Sequence, residues 1–296
     1  MNEFKEYTGP FIHSKDSYKK IITSYLIVLI PYLSYTIYIY GIKSLKLILT
    51  PLLIVLLLEL LFSIKNKNFK NILKDNFEIF GIIFFPFLLN VNTPIYIIII
   101  STIIGYLLHK LLFKKWYSLT ILSYLIYIII NLIIYKGSYL EIINMFPINY
   151  NFLITSNKGF SNLLLNGSNL MCPLISIISF LYLYIKQDIK YQITISSFIT
   201  ILLITFIIGL LNNSIWFPLY FILTGGTLFI ITLLATDFYS PATKIGKILY
   251  GIFIGLLIIL FRFISPFNIS PFSIFIANTF SFTFDYLSVF IEKRKS

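Results

Sequence analysis

The 296-residue chain contains a single cysteine, Cys172, and two histidines, His13 and His109. One thiol cannot close an internal disulfide or supply the four thiolates of an iron–sulfur cluster. Two histidines so far apart argue against a histidine-rich metal site, so no metal ligands are assigned. Charge is scarce: 11% of residues are charged, where a soluble domain carries about 25%. A P-loop and a G-x-S-x-G nucleophile turn are both missing. With 58% hydrophobic residues and a mean hydropathy of +0.91, these shortages exclude a soluble globular enzyme and a disordered chain.

What the chain has instead is long apolar runs. Ten candidate spans lie near 21–40, 44–64, 77–89, 95–113, 117–135, 172–186, 193–211, 217–235, 247–264 and 272–291. Most match the roughly 20 residues that a helix needs to cross a ~30 Å hydrocarbon core. The third and sixth are short. Barrel strands are instead alternating segments of about ten residues. The predicted fold class is therefore an all-α integral membrane protein, since lipid admits only helices or closed barrels. The first twenty residues are polar and offer no A-x-A-like cleavage site, so no cleaved signal peptide is expected.

Lys and Arg number 23 against 11 Asp and Glu. With the N-terminus inside, 18 of the 23 fall on the cytoplasmic side, among them Lys65, Lys110, Lys190, Lys247 and Lys293. The five outside are Lys43, Lys46, Lys136, Lys158 and Arg262. The positive-inside rule thus predicts N-in, C-in topology. Orientation accounts for the +12 net charge, and nucleic acid has no place as a partner. The expected organisation is a cytoplasmic segment 1–20, a five-helix half 21–135, an outer loop 136–171, a second five-helix half 172–291 and a tail 292–296. A loop this long is unusual unless functional.

Five spans per half make the second half enter the membrane from the opposite side, which is the plan of inverted-repeat transporters. Such proteins bind ligands at broken helices, and the third span of each half carries the residues that break one. The first has Gly81 and Pro86; the second has Pro218 and the pair Gly225–Gly226. Close helix packing is the plainer reading of the same residues.

Carboxylates in or beside apolar runs are costly and rarely idle. Three qualify: Glu59, Asp237 and Asp285. Glu59 can reach the cytoplasmic interface near Lys65, and Asp237 can cap the turn before Ser240-Pro241. Asp285 reads as the deepest, with Asn278 and Thr279 on the preceding turns, and suits an ion path or a structural pairing. Arg262, at the outer end of the ninth span, is placed to meet lipid phosphate or an anionic ligand. The spacing of Gly251 and Gly255 reads as helix packing.

Residues 223–264, LTGGTLFIITLLATDFYSPATKIGKILYGIFIGLLIILFRFI, resemble the RnfD/NqrB family, membrane subunits of ion-translocating, flavin-containing electron-transport complexes. The resemblance rests on Gly225, Gly226, Ala235-Thr236-Asp237, Pro241, Thr243, Gly246, Gly251, Gly255 and Arg262, with Asn278 and Asp285 in the last span. Pro10, His13, Pro31, Gly41 and Glu59 have counterparts toward the N-terminus. The resemblance implies ten helices in two inverted five-helix halves, partner subunits, FMN or riboflavin as cofactor, and Na⁺ or H⁺ as the coupled ion. It places cofactor-binding groups at Thr155, Gly225, Gly226, Thr236, Asp237 and Arg262, and an ion pathway at Glu59, Asn278 and Asp285. Two family features are replaced: the glycine-rich loop after the fourth span reads HKLLFKKWYSLT, and the Glu-Gly before the last span reads Ser270-Pro271 or nearby residues. The family attaches FMN through a threonine in a motif like Thr-Ser-Ala-Thr-Pro-Leu; this chain reads Thr155-Ser156-Asn157-Lys158-Gly159-Phe160. An amine at Lys158 cannot form the phosphoester, which leaves Thr155 as the nearby hydroxyl and noncovalent flavin as the other route. Two functions follow as expectations: a flavin-binding subunit, not catalytic alone, in the inner membrane, or a stand-alone channel or transporter for a small solute.

Overall fold

The computed structural model describes residues 18–66, 81–113, 116–140, 163–165, 170–237, 239–265 and 267–293. Among them the regular structure is helical. Helix α1 (Tyr18–Tyr40) ends at Gly41, whose φ of 59° is a left-handed conformation suited to glycine. Helix α2 (Ile42–Asn66) follows at once. A 3₁₀ segment, Ile82–Leu88, contains Pro86 and covers only about 14 Å at ~2 Å per residue. Helix α3 (Ile95–Leu108) runs into a π turn, His109–Phe113, and α4 (Leu119–Ile133) completes the first group.

The second group holds α5 (Pro173–Lys186), α6 (Tyr191–Leu211), α7 (Phe217–Leu223), α8 (Thr227–Phe229) continued as a π turn over Ile230–Leu234, α9 (Lys244–Ile264), α10 (Phe272–Thr279) and α11 (Ser281–Lys293). Segments 217–223 and 227–234 meet at an angle of 64°, and α10 and α11 at 51°.

Five helices are long and apolar enough to cross a membrane, or up to seven if each bent pair forms one span. The expected spans appear within a few residues, but 119–133 and 173–186 are shorter apolar helices and the third is the 3₁₀ segment. The outward faces explain why this is a membrane fold. Val28, Leu29 and Tyr32 are buried while Leu26, Ile27 and Ile30 stand exposed; on α2, Val55 is buried while Leu53, Leu57 and Leu61 stand exposed. Apolar surface of that extent is incompatible with water and suits lipid.

Both groups pack their second element on their fourth, α2 on α3 and α6 on α9, and their fourth on their fifth. Small residues permit the close approach. A Cβ on Gly251 would meet Ile193 O at 2.5 Å, and one on Gly105 would meet Ser123 Cα at 2.7 Å. Where the two irregular segments cross, Phe87 of the 3₁₀ segment lies 6.0 Å from Phe229 of α8, and Tyr32 of α1 touches both at 5.6 and 5.3 Å. The two segments with helix-breaking residues therefore meet in one aromatic core.

Candidate functional site

The eighth span is broken where two consecutive glycines adopt left-handed φ, both 65°. The break frees the last carbonyls of α7, and Arg262 on α9 takes them up. Its Nη1 donates to Phe221 O at 2.5 Å, Thr224 O at 3.3 Å and Thr227 Oγ1 at 3.2 Å; Nη2 donates to Thr224 Oγ1 at 2.8 Å. The guanidinium also stacks 3.9 Å over the Phe221 ring. A cation at a helix C-terminus meets the negative end of its dipole. Arg262 is 3% exposed, so it faces protein and not lipid phosphate. Its carbonyl partners lie about 40 residues upstream, and nothing local in the sequence reveals them. Gly226 is packed by Met171, whose side chain would block a Cβ, and Gly225 O accepts from Asn268 Nδ2 at 3.2 Å.

At the other end of the same segment, Thr236 Oγ1 donates to Thr232 O at 2.9 Å and meets Tyr25 OH at 3.3 Å. Asp237 Oδ1 accepts from Tyr239 N at 3.1 Å, an Asx-type turn that matches its capping reading. Among the described residues its second oxygen, Oδ2, is buried without a hydrogen-bond partner, and so is the Nδ2 of Asn278 on α10. The Oδ1 of Asn278 accepts from Tyr250 OH. Burial pushes the Asp237 carboxyl up to about 6, against the opposing pull of the Lys190 charge and the nearby Asn278 side chain. Lys190, in the turn before α6, donates to Asp237 O at 3.2 Å, Ser240 O at 2.8 Å and Ser240 Oγ at 2.7 Å. Burial lowers its ammonium to about 8. In the sequence Lys190 stands out only as a topology charge. Its position one residue before a helix is the sole local signal of another role.

Asp285, on α11 beyond the bend from α10, lies level with the first turn of α9. There it accepts from Ala242 N at 3.1 Å, Thr243 N at 2.9 Å and Thr243 Oγ1 at 2.7 Å. Thr243 in turn caps α9 through Gly246 N at 3.2 Å. Glu59 engages Lys110, another of the lysines counted on the cytoplasmic side. It is 3% exposed, accepts from Tyr106 OH at 2.6 Å and pairs with Lys110 at 3.0 Å. Lys110 sits in the π turn and lies 4.3 Å over the Phe62 ring. Thr155 falls outside the described residues.

The expected site residues thus separate. Thr236, Asp237 and Asn278 form one cluster beside Lys190; Gly225, Gly226 and Arg262 form another; Glu59 stands apart. Arg262 is 12 residues along α9 from Tyr250, whose OH bonds Asn278, about 18 Å at 1.5 Å per residue. The turn after α5, the 237–243 loop and the starts of α1 and α9 gather at the Asp237 end. Ser24 Oγ donates to Asp188 Oδ2 at 2.5 Å there, and His109 Nε2 meets Tyr239 OH at 3.3 Å.

Comparison with known proteins adds identity to this geometry. The family described as NQR2, RnfD, RnfE matches residues 6–114 and 136–292. A relative from Mannheimia succiniciproducens, the D component of an ion-translocating oxidoreductase complex, is 32% identical over 100 residues, 33% of this chain. The match covers 28% of that relative's own length.

Proposed function

Because the chain belongs to the NQR2, RnfD, RnfE family, we propose that it is a membrane subunit of an ion-translocating oxidoreductase complex in the cytoplasmic membrane. It works with partner subunits in the bilayer, with ten spans, N-in and C-in, in two inverted halves. The observation that carries this reading is the 223–264 block. Its resemblance to the family falls on the residues that hold the broken eighth span, with Arg262 at one end and Asp237 at the other.

Flavin, as FMN or riboflavin, is the proposed cofactor, and Na⁺ or H⁺ the coupled ion. The residues first grouped for it fall into the Arg262 and Asp237 clusters, at the two ends of segment 227–237. Arg262 is committed to backbone and threonine oxygens. The proposed place of the cofactor is therefore the segment that carries Thr155, or the Asp237 cluster, and its chemistry when bound is electron transfer. Among the carboxylates, Asp237 is the proposed ion or proton acceptor, since one of its buried oxygens has no hydrogen-bond partner among the described residues.

The test is flavin content and co-purification. Tagged protein extracted from its native membrane should carry flavin and bring further subunits with it. Flavin that stays on the denatured band marks covalent attachment, and flavin released marks a noncovalent site. A chain that purifies alone, without flavin, and moves a small solute in vesicles would replace this reading by the transporter. The two irregular segments that meet at Phe87 and Phe229 suit that second reading as well.

A further inference from the structure

A cavity of about 340 Å³ opens among the starts of α1, α6 and α9, at the Asp237 end of the molecule. Its wall includes Tyr25, Asp188, Lys190, Tyr191, Asp237 and Lys247. Two carboxylates and two ammonium groups make the lining neutral overall while offering both signs. The groups differ in what they have left to give. Lys190 has placed its protons on Asp237 O and on Ser240 O and Oγ. Lys247, half-buried in the first turn of α9, makes no side-chain hydrogen bond or ion pair among the described residues. Asp188 accepts from Ser24 through Oδ2 and keeps Oδ1 available. Asp237 Oδ2 is buried with no hydrogen bond among the described residues.

A simple anion here meets two carboxylates, and a simple cation meets two lysines. A ligand carrying both charges satisfies each wall. The cavity's level narrows the class further. The apolar stretches of the surrounding helices begin at Thr23, Tyr191 and Lys244, so the cavity sits where hydrocarbon gives way to headgroups. Tyr191 is 41% exposed and packs edge-on to Tyr184 at 5.4 Å, the amphipathic aromatic arrangement favoured at that level. The volume is at the small end of ligand pockets, roughly 300–1,000 Å³, and suits a headgroup better than a whole lipid.

We infer that this cavity binds a zwitterionic aminoalkyl-phosphate group, its phosphate on Lys247 and its primary ammonium on Asp188. That chemistry is offered by an ethanolamine phospholipid or by free phosphoethanolamine. A choline headgroup cannot donate a hydrogen bond to a carboxylate, and a glycerol headgroup has no ammonium. The inference is independent of the redox role proposed above.

The full chain in detergent is mixed with equal amounts of ethanolamine, choline and glycerol phospholipids, and retained lipid is read by native mass spectrometry. Retention of the ethanolamine lipid should exceed the others by roughly tenfold, the size of one charge-assisted hydrogen bond. Asp188→Asn should bring the three to parity, while Lys247→Gln, which removes the contact to the phosphate that all three share, should lower the retention of all of them; an unchanged elution profile confirms that each variant folds. Loss of the retained lipid on adding free phosphoethanolamine assigns the same site to a soluble ligand, whereas retention assigns it to the membrane lipid. Equal retention of the three lipids by the parent chain, a preference that survives Asp188→Asn, or undiminished retention by Lys247→Gln overturns the inference.

Discussion

Replacing Arg262 by alanine tests whether a buried charge holds the broken span in shape. The substitution removes donors from Phe221 O, Thr224 O, Thr224 Oγ1 and Thr227 Oγ1, and a ring contact at 3.9 Å. The two threonine hydroxyls can turn to carbonyls, since Thr224 and Thr227 already donate to Tyr220 O and Thr224 O at 2.7 Å. The Phe221 and Thr224 carbonyls then lose a charged donor where water is scarce. Each such loss costs about 1–3 kcal/mol, and the charge at the end of α7 adds about 1 kcal/mol. The total is roughly 3–7 kcal/mol. For a chain of this size 1 kcal/mol moves the melting point by about 2–4 °C on the scale of soluble domains. Circular dichroism melts in detergent should therefore show Arg262→Ala unfolding at least about 6 °C below the parent. Arg262→Lys keeps the charge but not the fork of donors and should fall between the two. A melting point for Arg262→Ala within about 2 °C of the parent would refute the assignment.

Three more predictions rest on the other buried charges. Lys110→Met alone removes the ammonium from a carboxylate that is 3% exposed and keeps its bond from Tyr106 OH, and should cost about 1–3 kcal/mol; the double variant with Glu59→Gln should recover part of that loss in the same melts. Asp285→Ala should lower stability by about 1–2 kcal/mol through loss of the α9 anchor, with Asp285→Asn milder; an unchanged melt with impaired ion coupling would make Asp285 part of the ion path instead. Asp237, raised from 3.8 to about 6, is ionised at a cost in the folded chain. Its contribution should therefore fall as pH rises from 3.8 to about 6, and Asp237→Asn should flatten that limb. Lys190, lowered from 10.5 to about 8, does the reverse. Its burial cost is full below about 8 and relieved as pH rises toward 10.5, and Lys190→Met should remove that rise in a melting series across pH. A parent and variant with parallel pH profiles would contradict either assignment.

Element positions were largely readable because a continuous apolar run has one solution in lipid. Spans expected at 21–40, 44–64 and 193–211 appear as helices 18–40, 42–66 and 191–211. The breaks were readable too, since Gly225–Gly226 and Pro86 act on their own backbone. Long-range pairing was not. Lys110 and Glu59 are 51 residues apart, and Lys190 and Ser240 are 50 apart. No local pattern states that a lysine counted for topology also binds a loop carbonyl. The partners of Asp285 are equally illegible, since Ala242 and Thr243 lie 43 and 42 residues upstream.

Four of the charged side chains share one placement. Lys110 sits in the π turn that ends α3, Lys190 holds the loop that follows the π turn 230–234, Arg262 closes the break between α7 and α8, and Asp285 binds the two backbone amides that lead into α9. Each stands where the backbone leaves the α-helix and exposes polar groups that lipid cannot satisfy. Such residues persist for the sake of the fold, and their loss disrupts function through structure. Asp237 differs. One of its oxygens closes a local turn, while the other is buried with no hydrogen bond among the described residues, near an Asn278 amide that is likewise unbonded there. A carboxylate oxygen kept from water with so little compensation costs free energy. By that reasoning Asp237, more than Glu59 or Asp285, is the carboxylate whose replacement should change transport or coupling while the bundle stays intact. An Asp237→Asn chain that melts like the parent at neutral pH yet still couples fully would remove it from consideration.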